Sequence, residues 1–315
     1  MVLPKHAFFQ GKFVDYSEAK VGVLTHALNY GTAVFGGIRA YSNDIEEQLF
    51  LFRPLDHFRR FLNSTNIILI EIEQTPEELT RLVVELLQMD GYHQDIYVRP
   101  LAYKADELIG VKLHDLHDEL SIVAVPIKRY VENDTNAHVT ISSWRRVDDN
   151  MIPARGKISG AYANSALIKT DAHLSGYDEA LVLTQEGHIS EGSAMNVFIV
   201  RNGTLISPPI TENILEGITR RSVIELAQEV LHVPFIERPI DRTEAYLCDE
   251  LFLTGTAAEV TAVTQVDHRP IGTGVMGPIT SELRGLYQDA VRGRLTKFRH
   301  WNVPVYTTEK ISVPD

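Results

Sequence analysis

One cysteine, Cys248, stands in the 315 residues, so no internal disulfide can form and a cysteine-rich metal centre is excluded. Basic clusters are missing too. Against 42 acidic side chains there are 30 Lys and Arg, for a net charge of −12, whereas nucleic acid or an anionic membrane rewards clustered positive charge. No apolar run is long enough to span a bilayer, and the opening residues MVLPKHAFFQGKFVDY lack the basic start and apolar core of a signal peptide. A cytoplasmic protein is expected. No repeat or low-complexity segment is visible. The chain exceeds the size at which a single core usually splits, so two domains are expected.

Apolar periodicity and turn residues place the elements. Phe8-Phe9 and Phe13-Val14 flank Gln10-Gly11-Lys12 as a tight hairpin. Ala33 to Tyr41 is strand-like but interrupted at Gly36-Gly37, where interior glycines mark a bulge or a close approach. Gln48 to Phe52 should pair with it. Leu55, Phe58 and Leu62 recur at helical spacing, predicting a helix over Arg53 to Ile67 with Arg60 beside its apolar face. Thr75, Pro76 and Glu78 form a capping box for a helix that Gly91 stops. Ile96 to Tyr103 and Leu120 to Ile127 read as strands, and the polar segment 128–137 as a linker. Beyond it come a strand from His138 to Trp144, a helix from about Ala161 to His173, and strands over Ala180 to Thr184 and Asn196 to Val200. An Asn202-Gly203 hairpin turn follows, then a helix from Thr219 to Leu231, a strand near Val233 to Glu237, a short helix around Thr243 to Cys248, the strand Leu251 to Thr254 and a helix from Pro278. Without a regular βαβ rhythm, the class is α+β or mixed α/β. The expected division is a smaller domain over 1–127, an interdomain loop over 128–137 and a larger domain over 138–315.

Two patterns carry little. Gly272-Thr-Gly274-Val-Met-Gly277 matches a dinucleotide fingerprint but follows a charged turn and lacks a later strand ending in an acid. His114-Asp-Leu-His117-Asp-Glu119 reads as a solvated polar loop, and no metal is expected.

Chemistry concentrates elsewhere. Met151 to Tyr162 sets one amine, Lys157, among Gly156, Ser159 and Gly160, which let a flat ligand approach the backbone. Ile189-Ser190-Glu191-Gly192 puts a carboxylate on a turn between apolar strands, where a buried acid needs a cation; a protonated pyridine nitrogen is one. Leu215-Glu216-Gly217-Ile218-Thr219 leads into a helix whose first N–H groups could hold a phosphate. Leu253 to Glu259 is a small-residue turn bearing a hydroxyl. Taken singly, each also reads as a plain loop, hairpin corner, helix start or strand end.

Together they resemble the fold-type IV pyridoxal-phosphate enzymes, and within them the branched-chain amino-acid aminotransferases. The likeness runs from about Phe8 to Leu295 and rests on HALNYGTAVFGGIRAY, YVRPLAY, GKISGAY, ISEGSAMNVF, GITRRSVIELA and LFLTGTAAEVTAV. The resemblance implies a two-domain fold with the active site between the domains and pyridoxal 5′-phosphate as cofactor. It further implies small amino-acid and 2-oxo-acid substrates, a homodimer or higher homo-oligomer, and transfer of the amino group of Leu, Ile or Val to 2-oxoglutarate. By the same resemblance Lys157 is the Schiff-base lysine and proton shuttle, Glu191 the partner of the pyridine nitrogen and Tyr162 the donor to the ring's phenolic oxygen. Arg60, Leu215, Ile218, Thr219 and Thr256 complete the cofactor set. Tyr30, Phe35, Tyr97, Arg99, Tyr130, Thr256 and Ala257 form the substrate pocket. Gly36 stands where many members carry Glu, and Ser193-Ala194-Met195 replaces the commoner text. These departures leave D-amino-acid and (R)-amine transaminases and aminodeoxychorismate lyase as alternatives; Tyr97-x-Arg99 and Gly37-x-Arg39 favour the branched-chain branch.

Overall fold

The computed structural model describes residues 3–127 and 133–306. Tyr130 and residues 128–132 of the expected linker lie outside them. In chain order the elements are β1 (His6–Phe9), β2 (Lys12–Asp15), α1 (His26–Tyr30), β3 (Ala33–Phe35), β4 (Ile38–Asn43), β5 (Gln48–Phe52), α2 (Pro54–Ile67), α3 (Pro76–Asp90), β6 (Ile96–Lys104) and β7 (Asp118–Pro126). There follow β8 (Ala137–Arg145), α4 (Tyr162–Leu174), β9 (Glu179–Leu183), β10 (Ile189–Gly192), β11 (Asn196–Arg201), β12 (Thr204–Ser207), α5 (Ile218–Glu229), β13 (Phe235–Glu237), β14 (Glu250–Gly255), β15 (Glu259–Val266), β16 (Arg269–Pro270), α6 (Pro278–Val291) and β17 (Asn302–Pro304).

Local chemistry accounts for the sharpest boundaries. Both two-residue hairpins put their turn residues at positive φ, Gln10 and Gly11 at 49° and 80°, Asn202 and Gly203 at 50° and 72°, the geometry that matches strand twist. In α3 the Thr75 hydroxyl accepts the Glu78 N–H while the Glu78 carboxylate accepts the Thr75 N–H, and Gly91 closes the far end in the left-handed region. The short helix expected over Thr243 to Cys248 is a 3-10 turn at Arg242–Tyr246.

The described residues divide into two compact units, one drawn from 3–127, 156–160 and 289–306, the other from 133–155 and 161–288. The division expected at 127 and 138 assigns 156–160 and the C-terminal stretch to the second domain. Here both go with the first, because Ile158 bridges Val34 and β17 pairs antiparallel with β5. The first unit is a sheet in the order β17-β5-β4-β6-β7-β1-β2, with β3 on β6. Its core includes Tyr41, Phe52 and Trp301 in edge-to-face contacts at 6.4 and 5.9 Å. Buried Lys104 is matched to Asp118 at 3.0 Å and to the Leu69 carbonyl.

The second unit is a sheet in the order β10-β9-β8-β15-β14-β11-β12-β13, with β16 on β15. β8 runs parallel to both β9 and β15, and β12 to β13, among otherwise antiparallel pairs. Stacked Phe198 and Phe252, 5.0 Å apart, mark its interior. Burial pushes the Cys248 thiol up to about 12, so the lone cysteine is inert. The glycines from 272 to 277 hold no dinucleotide: the N–H groups of Ile279 and Thr280, at the start of α6, donate to the Glu250 carboxylate at 3.0 and 2.7 Å. That acid already sits where a phosphate would.

Candidate active site

In the first unit Lys157 lies on a short segment laid along β3. Its carbonyl accepts the Phe35 N–H at 3.1 Å, and its N–H donates to the Ser64 hydroxyl at 3.2 Å. Ser64 in turn donates to the Arg60 carbonyl at 2.8 Å, so one chain of bonds joins the lysine backbone to the helix carrying Arg60. The small residues nearby have a structural cause that composition does not reveal. Gly160 donates to the Gly31 carbonyl at 3.1 Å, and a Cβ on Gly31 would lie 2.7 Å from the Gly160 Cα. Two backbones meet there, so at least this glycine serves the fold.

The Lys157 amine stands 4.9 Å from the centre of the Phe35 ring, and the Arg99 guanidinium 4.5 Å from it. Arg99 also donates to the Tyr97 hydroxyl at 3.0 Å, as expected for two residues on one face of β6. Gly37 makes room for that tyrosine, since a Cβ at 37 would fall 2.2 Å from the Tyr97 oxygen. Lys157, Phe35, Tyr97 and Arg99 thus come together. The Tyr30 hydroxyl accepts the N–H of Gly110, on the loop before β7, at 3.1 Å, and its ring tilts against His26. Arg39 is buried and faces Asp95 at 3.5 Å, a structural ion pair. At Gly36, a Cβ would come within 2.6 Å of the Pro100 ring.

The second unit carries the acid and the helix start. Glu191 is not on a turn, as expected, but inside β10, at a register shift against β9. A bulge re-aims a side chain without ending the strand. The carboxylate is buried, and the protein supplies a cation for it: Arg146 approaches to 2.9 Å. Arg146 Nε donates to the Asn213 carbonyl at 3.1 Å. The other carboxylate oxygen accepts the Leu215 N–H at 3.1 Å and the Asn196 amide at 3.2 Å. Asn196 also donates to the Leu215 carbonyl at 2.9 Å. Two residues after Leu215, Gly217 precedes α5 in an extended conformation, with no side chain capping the helix among the described residues. Ile218 and Thr219 are its first two residues, and both are buried. An uncapped, buried helix start suits an anion.

Thr256 and Ala257, both half-buried, lie on the turn between β14 and β15. Thr254, opposite Asn196 in the sheet, keeps a buried hydroxyl with no hydrogen-bond partner among the described residues, a donor spare for a ligand. Tyr162 opens α4. Sequence reasoning missed Ser64, Arg146 and Asn196. Arg146 shares the run Trp144-Arg145-Arg146 with exposed Trp144 and exposed Arg145, and nothing in that text says which arginine turns inward. At 114–119, His117 pairs with Glu119 at 2.8 Å. Among the described residues no group of His, Cys, Asp and Glu is placed to hold a metal.

Residues 33–266 match the family Amino-transferase class IV. The chain belongs to the class IV aminotransferases. A protein of Aquifex aeolicus (strain VF5) named "Probable branched-chain-amino-acid aminotransferase" is 47% identical over 300 residues, 95% of this chain and 96% of that one. Among solved structures, the branched-chain aminotransferase of Thermoproteus uzoniensis with norvaline superposes with a TM-score of 0.91 at 41% identity, over 96% of this chain and 100% of its own. The branched-chain amino acid aminotransferase of Thermobaculum terrenum in its PLP-form gives 0.92 at 39%, over 98% and 100%. As a class IV aminotransferase of fold type IV the chain is a transferase, and among its described residues no helix is long and apolar enough to cross a membrane.

Proposed function

We propose that this aminotransferase moves the amino group between branched-chain L-amino acids (leucine, isoleucine and valine) and 2-oxoglutarate in the cytoplasm, with pyridoxal 5′-phosphate bound covalently to Lys157. The reading draws on the names of the relatives and on one observation above all: the turn that leads into the uncapped start of α5 is hydrogen-bonded, by the Leu215 N–H, to a buried carboxylate. A ligand with an anionic phosphate and a basic ring nitrogen suits that pair of groups. The orphan Thr254 hydroxyl adds a donor.

The cofactor, when bound, supplies an electron sink for the bond broken at the substrate's α-carbon. Lys157 Nζ would take the α-carbon proton of the amino donor and, in the other half-reaction, give a proton to the α-carbon of the amino acceptor. Glu191 presents an anion to the ring nitrogen and keeps its proton in place. Tyr162 donates to the phenolic oxygen; Arg60, the N–H groups of Ile218 and Thr219, and Thr256 hold the phosphate; and Leu215 completes the cofactor site. Phe35 and Tyr30 give the side chain an apolar wall. Tyr97 and the Thr256-Ala257 turn receive the α-carboxylate, and Arg99 receives the second carboxylate of glutamate.

The working unit in this reading is a homodimer or a larger homo-oligomer. Val23, Ile109 and Val111 are 81, 82 and 88% exposed. They sit on two loops tied together by Thr25 and Glu107 and by the bond from His26 N–H to the Asp106 carbonyl at 2.8 Å. Such an apolar patch favours burial against a second copy. Light scattering that gives a monomer mass removes this part of the reading.

The test of the activity is incubation with leucine and 2-oxoglutarate and a search for glutamate. Reduction of the purified protein with borohydride should also leave the cofactor on the peptide containing Lys157, and a label on another lysine refutes the assignment. Activity confined to D-amino acids or (R)-amines, or release of pyruvate from aminodeoxychorismate, would transfer the chain to another branch of the family.

A further inference from the structure

The two groups that meet a cofactor in the second unit are not independent. Asn196 stands between them. Its amide nitrogen donates both to Glu191 and to the Leu215 carbonyl, at 3.2 and 2.9 Å. Its amide oxygen occupies the space beside Gly217, where a Cβ would lie 2.0 Å from it. Leu215 closes the circuit by donating its own N–H to Glu191 at 3.1 Å. All the bonded atoms are at or near full burial on the Asn196 and Glu191 side, where hydrogen bonds are stiff and costly to break.

We propose that Asn196 is a positioning residue that makes the ring-nitrogen acid and the phosphate-holding turn move as one body, so that an anion at the start of α5 and a cation at Glu191 bind cooperatively. The proposal rests on the cofactor reading above and adds a coupling to it. An anion at the N–H groups of Ile218 and Thr219 fixes the 215–217 turn. Through Leu215 and Asn196 the fixed turn holds one Glu191 oxygen, while Arg146 holds the other at 2.9 Å. The carboxylate is then already aimed when the ring arrives, and the ordering it would otherwise undergo has been done by the first ligand. Linkage makes the effect reciprocal. Only an amide suits position 196: an aspartate cannot donate and would face Glu191 with like charge, and an alanine leaves the turn and the acid joined by the Leu215 N–H alone.

The test splits the cofactor into its two halves. Affinity of the apoprotein for pyridoxal, which lacks the phosphate, is measured by absorbance with and without saturating inorganic phosphate. The ratio of the two affinities should be larger in the wild type than in Asn196→Ala by about fivefold or more. Any direct effect of phosphate on pyridoxal is common to both proteins and cancels. A merely structural role would weaken both affinities alike and leave the ratio unchanged, so equal ratios overturn the proposal. If Asn196→Ala fails to fold by circular dichroism, Gly217→Ala supplies the comparison, since its methyl group displaces the Asn196 oxygen. Wild-type protein that binds no pyridoxal under either condition defeats the cofactor reading itself, whereas binding with equal ratios defeats only the coupling.

Discussion

Arg146 and Glu191 form a buried ion pair at 2.9 Å, their side chains 10 and 4% exposed. The acid therefore has a cationic partner within the protein before any ligand enters, and the partner arrives from the end of β8. Removing one member of a buried pair strands the other charge, at about 3–5 kcal/mol. Arg146→Met should lower the urea midpoint of the apoprotein accordingly. The double variant Arg146→Met, Glu191→Gln should recover most of the loss, because no buried charge is then left alone. Strict additivity of the two single effects would show that the pair contributes no coupling.

Gly37 and Tyr97 are fitted to each other. A methyl group at 37 would lie 2.2 Å from the tyrosine oxygen and 2.9 Å from its ring carbon, so Gly37→Ala must displace the ring and with it the hydroxyl that Arg99 contacts. Overpacking of this kind costs about 1–3 kcal/mol. The expected signature is a raised KM for amino acids, with Gly37→Ala, Tyr97→Phe less impaired than Gly37→Ala because the closest atom has been removed. A double variant as poor as the sum of the two single ones would mean that the clash is relieved elsewhere.

Most elements are legible in the sequence because local chemistry and tertiary demand agree at them. The capping box at Thr75, the Asn202-Gly203 turn and the Gly36-Gly37 break each appear where turn and cap chemistry puts them. β15 leaves no such mark: Val260 to Thr264 are all buried, so no alternation of apolar and polar residues signals a strand. β10 reads as a turn for a related reason. Its Ser190 and Glu191 are polar yet buried, and they are tolerated only because the Glu212 carbonyl accepts from Ser190 at 2.6 Å and Arg146 faces Glu191. Such partners come from far along the chain. For the same reason the text nominates Lys157 and Glu191 but not Arg146, Asn196 or Ser64, whose roles exist only through the contacts they make.

Acid should weaken the first unit through Asp95. Burial works to raise this carboxyl, but the bonds from Arg292 and the Ser42 N–H, with the charges of Arg292 and Arg39, outweigh it and hold the group below the usual range. Arg292 grips both oxygens, at 3.0 and 2.9 Å. A carboxyl depressed in the folded state stabilises fully above its unfolded pKa of about 3.9 and loses that contribution as pH falls through the folded value. Arg292→Met should therefore be less stable than the wild type at neutral pH, with the two urea midpoints converging below about pH 4. Curves that stay parallel from about pH 7 down to about pH 2.5 would exclude this pair as a source of acid sensitivity.

Leucine and glutamate differ by a full charge at the end of the side chain, and in the proposed reaction one pocket takes both. Apolar walls that suit leucine would strand the second carboxylate of glutamate, at a cost of several kcal/mol if it stayed ionised and unpaired. The proposed function assigns that carboxylate to Arg99. Among the described residues its partners are the Tyr97 hydroxyl at 3.0 Å and the faces of Phe35 and Tyr97 at 4.5 and 5.2 Å, and no structural acid claims it. Stacked on Phe35, the guanidinium offers its flat apolar face to a hydrocarbon side chain and its N–H edge to an anion. Arg99 is exposed, so the relevant magnitude is that of a hydrogen bond to a charged group, about 1.5 kcal/mol, and roughly 1.4 kcal/mol is a factor of ten. Arg99→Leu should therefore slow the half-reaction with glutamate about tenfold more than that with leucine. Single-turnover absorbance changes with each amino acid in turn measure that ratio. Equal losses for both substrates would show that Arg99 does not read the side chain.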